Sequence, residues 1–220
     1  MSDIGRAELA VHSRMELACA AATAAGVPGR FEVSRGTDTF TVLATNPALS
    51  FLSVTVVSAE SEKAPAGLVR VADRGLAVRA LDDSVAEPRV IEVNSAEFLP
   101  VLLAGYEVDG TVADFISAEH RLPEVRRFLA MRGETPIAGA AMTIHGDVAV
   151  LGGAATVRAY RGRGGQSSLL RHRLHIAAQA GCTVAAATVV PGSVSAANLV
   201  RAGFAVYRRS AWQRSIDCRT

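Results

Sequence analysis

The sequence predicts an α/β (α+β) protein with a mixed, largely antiparallel sheet flanked by helices. Three observations carry this reading. Hydrophobic residues make up 50% of the 220 and charged ones 20%, enough apolar material for a sizeable core and too much for a disordered chain. From Val125 onward three apolar runs are joined by two short polar turns, the pattern of an antiparallel meander. A Gly/Arg-rich loop then leads into an amphipathic helix and a strongly apolar strand, the pattern of a parallel crossover within one sheet.

Residues 6–25 are rich in Ala, the best helix former, and stop at Gly26-Val27-Pro28-Gly29, so they should be helical. The β-branched runs Thr39–Ala44 and 51–58 flank Asn46-Pro47 and read as strands around a turn. A helix is expected over 60–74, with Pro65 close to its first turn, then short strands at 76–81 and 89–93. Ser95 can cap a helix through Leu103 that stops at Gly105. The polar stretch 107–124, with Pro123 ending any helix before it, reads as a connection. Strands follow at 125–131, 136–144 and 148–157. After the loop at 161–166 a helix runs through Ala180, with Leu170, Leu174 and Ala177 at helical spacing and Gly181 as its stop. A strand at 183–190 ends at Pro191, Ser193 or Ser195 opens a short helix through Ala202, and 204–212 can form a last strand. The chain thus divides into an N-terminal α/β region, 1–124, and a second region, 125–220.

Net charge is only +2, so the whole chain gives no nucleic-acid signal. The distribution says more. Between Asp147 and Asp217 there are nine arginines and no Asp or Glu, a formal +9 that leaves −7 for the rest. That segment suits an anionic ligand or an acidic neighbour. Cys19, Cys182 and Cys218 have no metal-type spacing and read as idle thiols, so no metal is expected. The N-terminus lacks a signal-peptide pattern, and the long uncharged runs 39–59 and 176–200 are broken by Asn46-Pro47 and by Gly181, Pro191 and Gly192. A cytoplasmic protein without membrane spans is the expectation.

The most informative junction is strand, Arg161-Gly162-Arg163-Gly164-Gly165-Gln166, helix. A helix N-terminus presents unpaired N–H groups and a partial positive charge. Glycines let the backbone approach an oxyanion with no Cβ in the way. The loop therefore reads as a pyrophosphate cradle, reinforced by Arg161 and Arg163. No Gly-Lys-Ser/Thr follows, and the spacing is not that of a dinucleotide fingerprint.

The stretch 156–170 resembles motif A of the GNAT superfamily of acyl-CoA-dependent N-acetyltransferases, which runs Val-x-x-x-Arg-Gly-x-Gly-x-Gly/Ala before a helix. Residues 198–204, ending in Gly203-Phe204, resemble its motif B. The resemblance covers 125–215. It implies acetyl-CoA as co-substrate and a primary amine, small molecule or peptide, as acceptor. It implies that Ala155, Thr156 and Val157 offer backbone groups to the pantetheine arm. Arg161, Gly162, Arg163, Gly164, Gly165, Gln166 and Ser167 would hold the pyrophosphate, and Asn198 would touch the cofactor. Gln166 stands where the family prefers Gly or Ala. Leu199 stands where many members carry the tyrosine that protonates the leaving thiolate. The order of elements in 39–106 faintly echoes the second half, so 1–124 is a candidate for a degenerate GNAT-like lobe; it has no Arg/Gly loop and should not bind CoA.

Acyl transfer to an amine needs a neutral nucleophile and a stabilised oxyanion. No carboxylate exists in 148–216, so a base must come from Glu119, Glu124, Glu134, Asp147 or an earlier acid, unless a histidine or water relay serves. Glu119 leads as base and Tyr207 is the alternative acid. A backbone N–H at Thr156 or Val157 can face the oxyanion. His172 and His175 read as surface residues. The −7 part favours a cationic acceptor. The competing readings are a catalytically silent acyl-CoA-binding or sensing protein and a nucleic-acid module; no nucleic-acid partner is expected, and a homodimer is left open.

Overall fold

The computed structural model describes residues 1–81 and 87–214; Cys218 and Asp217 lie outside them. Five α-helices are present among these residues: α1 (Asp3–Ala24), α2 (Ser95–Tyr106), α3 (Gly110–His120), α4 (Gly165–Gln179) and α5 (Val194–Arg201). Ten strands accompany them: β1 (Phe31–Arg35), β2 (Thr39–Ala44), β3 (Val54–Val57), β4 (Leu68–Ala80), β5 (Val90–Glu92), β6 (Arg126–Arg132), β7 (Thr135–His145), β8 (Val148–Thr156), β9 (Val184–Val189) and β10 (Ala205–Arg214). They form one sheet in the order β1-β2-β3-β10-β4-β9-β8-β7-β6-β5. The β8–β9 pair is parallel and the other described pairs are antiparallel. The mixed, largely antiparallel sheet is therefore the observed one.

The sheet has helices on both faces because its strands alternate. Val184 and Ala186 of β9 pack with Val148 and Val150 of β8 under α1, around Ala7, Ala10 and Val11. Ala185 and Ala187 point the other way, into the core under α4 with Leu169, Leu170 and Leu174. α2 covers the β7–β8 end on the α1 side through Phe98, Leu99 and Leu102. An Asn94 capping box with Glu97 starts α2, one residue before the expected cap.

Three expectations are corrected, and one strand is unforeseen. Residues 60–74 are not helical. Positions 68–74 begin the long strand β4, which pairs with β10 from Leu68 to Val78 and with β9 from Gly75 to Ala80. Pairing with β10 overrides local helix propensity there. The stretch 107–124 is not a mere connection, since α3 buries Phe115, Ala118 and His120 at helical spacing. β1, unforeseen beside a Gly-Pro-Gly turn, pairs only with β2. His172 is buried, not on the surface, its ring edge-on to Phe128.

The placement of β4 has a direct consequence. It comes from the N-terminal half and sits between β9 and β10. A fragment 125–220 loses β4, β5 and α1 together, opening edges on β9, β10 and β6 and exposing the apolar residues under α1. It is expected to aggregate and to melt without a cooperative transition, as read by size exclusion and circular dichroism. A soluble monomer with a sharp melt overturns this.

Candidate active site

The cleft begins where two neighbouring strands part. β8 and β9 pair only from Val148↔Val184 to Leu151↔Ala187, although β8 continues to Thr156 and β9 to Val189. The cause lies on β8. Ala141 pairs with Gly152 and Gly139 with Ala155, so Gly153 and Ala154 together oppose one residue of β7. Such a bulge bends its strand and ends regular pairing. A Cβ on Gly152 would lie 2.7 Å from the Arg14 guanidinium carbon, and one on Gly153 only 2.0 Å from His120 Nε2. Two buried groups from the α1 side thus press on a backbone that has no side chains there.

Arg14 donates to the Val150 carbonyl at 3.0 Å and to Glu119 at 2.8 Å. From the opposite face Arg173, on α4, donates to the Ala141 carbonyl at 2.9 Å. Burial, then repulsion from Arg14, brings the Arg173 pKa down to about 9, so it stays cationic at neutral pH. The cleft has a volume of about 250 Å³ and is lined by Tyr106, Gly153, Gln166, Arg173, Asn198 and Leu199, among others, with no acid. Burial raises the Tyr106 phenol above its ordinary value, against the opposing pull of the Ala154 backbone.

At one end of the cleft is the glycine loop. Gly162 and Gly164 adopt φ +76° and +81° and face open space where a Cβ would stand. Gly165 has an ordinary φ, but its Cβ would come 3.2 Å from that of Ala138, so α4 starts hard against β7. No side chain caps α4, which leaves its first N–H groups for an anion. Arg161 donates to the Gly105 carbonyl at 3.1 Å and ties the loop to the end of α2. Beside the loop lies a further cavity of about 520 Å³, lined by Arg89, Arg132, Arg163, Arg171, Gly164 and Ser167.

The structure therefore brings together Arg161 to Ser167 at the helix start, with Gln166 and Asn198 lining the cleft. Ala155 is buried against Gly105 of α2. Val157 gives its N–H to the Ile137 carbonyl at 3.1 Å and has none left for an oxyanion. The same bond makes Ala138↔Thr156 a non-hydrogen-bonded pair, which turns the Thr156 N–H away from β7, on the edge from which β9 has parted. Glu119 and Tyr207 do not line the cleft. Tyr207 pairs with Leu76, and β4 separates its strand from β9. Glu119 faces Arg14. Burial opposes its charge, but Arg14 and His120 outweigh that and hold the carboxyl below its ordinary range. Tyr106, Arg89 and Arg132 were not anticipated. Only the net arginine excess hinted at such a pocket, and Arg89 and Arg132 lie outside that segment.

Glu119 reads from this geometry as the partner of Arg14. Glu119→Gln leaves Arg14 as a buried, uncompensated charge and is expected to cost roughly 3–5 kcal/mol of stability, read from denaturant unfolding. Because the folded pKa lies below the unfolded one, the pair stabilises fully above about pH 4.5 and fades as pH falls through the folded value. The variant should lose that part of the acid dependence. An unchanged midpoint and an unchanged acid limb overturn the assignment.

The comparisons bear on the whole arrangement. The acetyltransferase (GNAT) family model matches residues 88–204, more than half the chain and including the cleft strands, the glycine loop and α4. No curated protein matches in sequence. Among solved structures, one assigned to the GNAT family from Novosphingobium aromaticivorans is 15% identical, covers 92% of this chain and 99% of its own, and superposes with a TM-score of 0.56. A GCN5-related N-acetyltransferase from Kribbella flavida is 22% identical over 66% of this chain and 59% of its own, with a TM-score of 0.51. A functionally unknown conserved protein from Staphylococcus epidermidis is 9% identical over 86% and 96%, with a TM-score of 0.54. At these identities the structures show a shared fold, and the family match carries the assignment: the chain belongs to the GNAT family of acetyltransferases.

Proposed function

We propose that the protein transfers an acetyl group from acetyl-CoA to a primary amine by direct attack while both are bound. The observation that carries this is the strand separation beside an uncapped, glycine-opened helix start, which joins an anion cradle to a narrow cleft. The open space at Gly162 and Gly164 fits a pyrophosphate, and Arg89, Arg132, Arg163 and Arg171 surround room for further phosphate. The Thr156 N–H is the strand donor for the pantetheine arm. Acetyl-CoA supplies the thioester carbon; a C–N bond forms, the C–S bond breaks, the nitrogen loses one proton and the sulfur gains one.

Tyr106 is the proposed donor to the departing sulfur. Its phenol lines the cleft and stays protonated, whereas Leu199 offers only apolar packing. No acid lines the cleft, so the amine proton leaves to water. The rate should then rise with pH up to the pKa of the amine itself. A silent acyl-CoA-binding protein is the second reading, favoured by Leu199 and by the engagement of Glu119 with Arg14; acetyl-CoA binding without turnover of any amine would select it.

Two variants test the cofactor and acid assignments. Gly164→Asp places a carboxylate in the cradle and is expected to abolish acetyl-CoA binding by calorimetry, with Gly164→Ala as the control for backbone strain. Equal affinity in a folded Gly164→Asp protein removes the loop from the site. Tyr106→Phe is expected to lower kcat by about 10²-fold while sparing acetyl-CoA affinity. A wild-type kcat excludes the phenol.

A further inference from the structure

On the α1 side of the sheet a cavity of about 260 Å³ adjoins the cleft, and Thr188 lines both. Its walls are mostly apolar: Val11, Met15, Phe40, Val42, Leu52 and Val54. Besides Thr188, three polar groups break that surface. Arg209 and Arg74 stand directly opposite each other on β10 and β4, so two like charges meet side by side. Neither makes an ion pair or hydrogen bond with a described residue. Arg209 is 4% exposed, and its Nε is buried without a partner. The nearest acid in its field is Glu8, whose oxygens are taken by Ser58 Oγ at 2.5 Å and the Ala59 N–H at 2.7 Å. The third group is His12, stacked on Phe40 with ring centroids 4.1 Å apart and its Nε2 also buried and unpaired. Burial first, then Arg209 and Arg35, bring its pKa down to about 3, so it is neutral and can hydrogen-bond without adding charge.

Two adjacent unpaired cations in an apolar wall are costly unless an anion completes them. We propose that this cavity holds the acceptor, and that the acceptor is a small primary amine bearing an apolar body and a carboxylate. Arg209 and Arg74 receive the carboxylate, the apolar walls receive the body, and the amine points to Thr188, where the cavity meets the cleft. The inference rests on the acetyl-transfer reading and names its substrate class. The volume limits the acceptor to about the size of one amino acid. It also redirects the charge argument for a cationic acceptor. No acid lines this cavity, and among the buried or half-buried acids of the chain Glu16 is engaged with Arg35, Glu119 with Arg14 and Asp147 with Arg6.

The test uses matched pairs: L-leucine with isopentylamine, L-phenylalanine with phenethylamine, and L-methionine with 3-(methylthio)propylamine. Binding is measured by calorimetry on the whole protein with CoA present, and turnover by thiol release from acetyl-CoA. At least one acid should bind at least about tenfold more tightly than its decarboxylated partner, and Arg209→Met and Arg74→Met should each remove that margin. Because each change removes a desolvated, repelled cation, both variants should keep or raise the melting temperature, which a merely structural arginine would not do. Equal affinity for the acids and the plain amines, or an unchanged margin in both variants, overturns the proposal. Turnover of plain amines with no gain from the carboxylate refutes the anion site and leaves acetyl transfer standing. Tight binding of an acid without thiol release from any amine upholds the anion site and refutes acetyl transfer.

Discussion

Everything in the cleft depends on two side-chain-free positions in the middle of a sheet. Gly152 and Gly153 let the Arg14 guanidinium and the His120 ring press against the β8 backbone, and the extra residue there ends pairing with β9. Backbone polar groups in a sheet interior normally find partners in the next strand, and leaving them without one is expensive. Here buried arginines approach from both faces, Arg14 from α1 and Arg173 from α4, and occupy the Val150 and Ala141 carbonyls around the gap. The opening is thus held by charged residues that are themselves held. Glu119 neutralises Arg14, and His120 packs against Phe98 with its Nδ1 donating to the Ile116 carbonyl. A cavity lined by unsupported loops would have no such rigidity.

The parts legible in the sequence were those whose physics is local. The glycine loop announces positive φ angles and a free helix start by composition alone, and Gly162 and Gly164 have both. The meander is legible because its two turns are short and its runs apolar. What stayed hidden depends on partners far along the chain. The segment 68–74 looks helical by itself and becomes a strand because β10, more than a hundred residues later, lies beside it. Arg14 and Glu119 are 105 positions apart, and no periodicity places them together. Arg74 and Arg209 are further apart still, and each alone reads as a solvated surface charge.

Charge also works at two scales. The acid-free stretch after Asp147 is not a uniform positive face. Arg173 and Arg209 are buried on opposite sides of the sheet, while Arg163 and Arg171 line the cavity beside the loop. The same arithmetic excess is divided among the cavity beside the glycine loop, the cleft floor and the adjoining apolar cavity. Formal charge by segment tells how many cations must find anions; only the strand order tells which ones share a wall.

The central position of β4 also shapes how the chain comes to its native state. During synthesis β4 leaves the ribosome long before β9 and β10 exist, so its 13 residues cannot complete their ladders for more than a hundred further residues. Pairings of such long sequence separation close slowly, because the loop entropy is lost before the contacts form. Exposed Val69 and Val71 and both edges of the strand remain open meanwhile. The centre of the sheet is therefore assembled late, and the half that carries the glycine loop is completed by a strand made well before it.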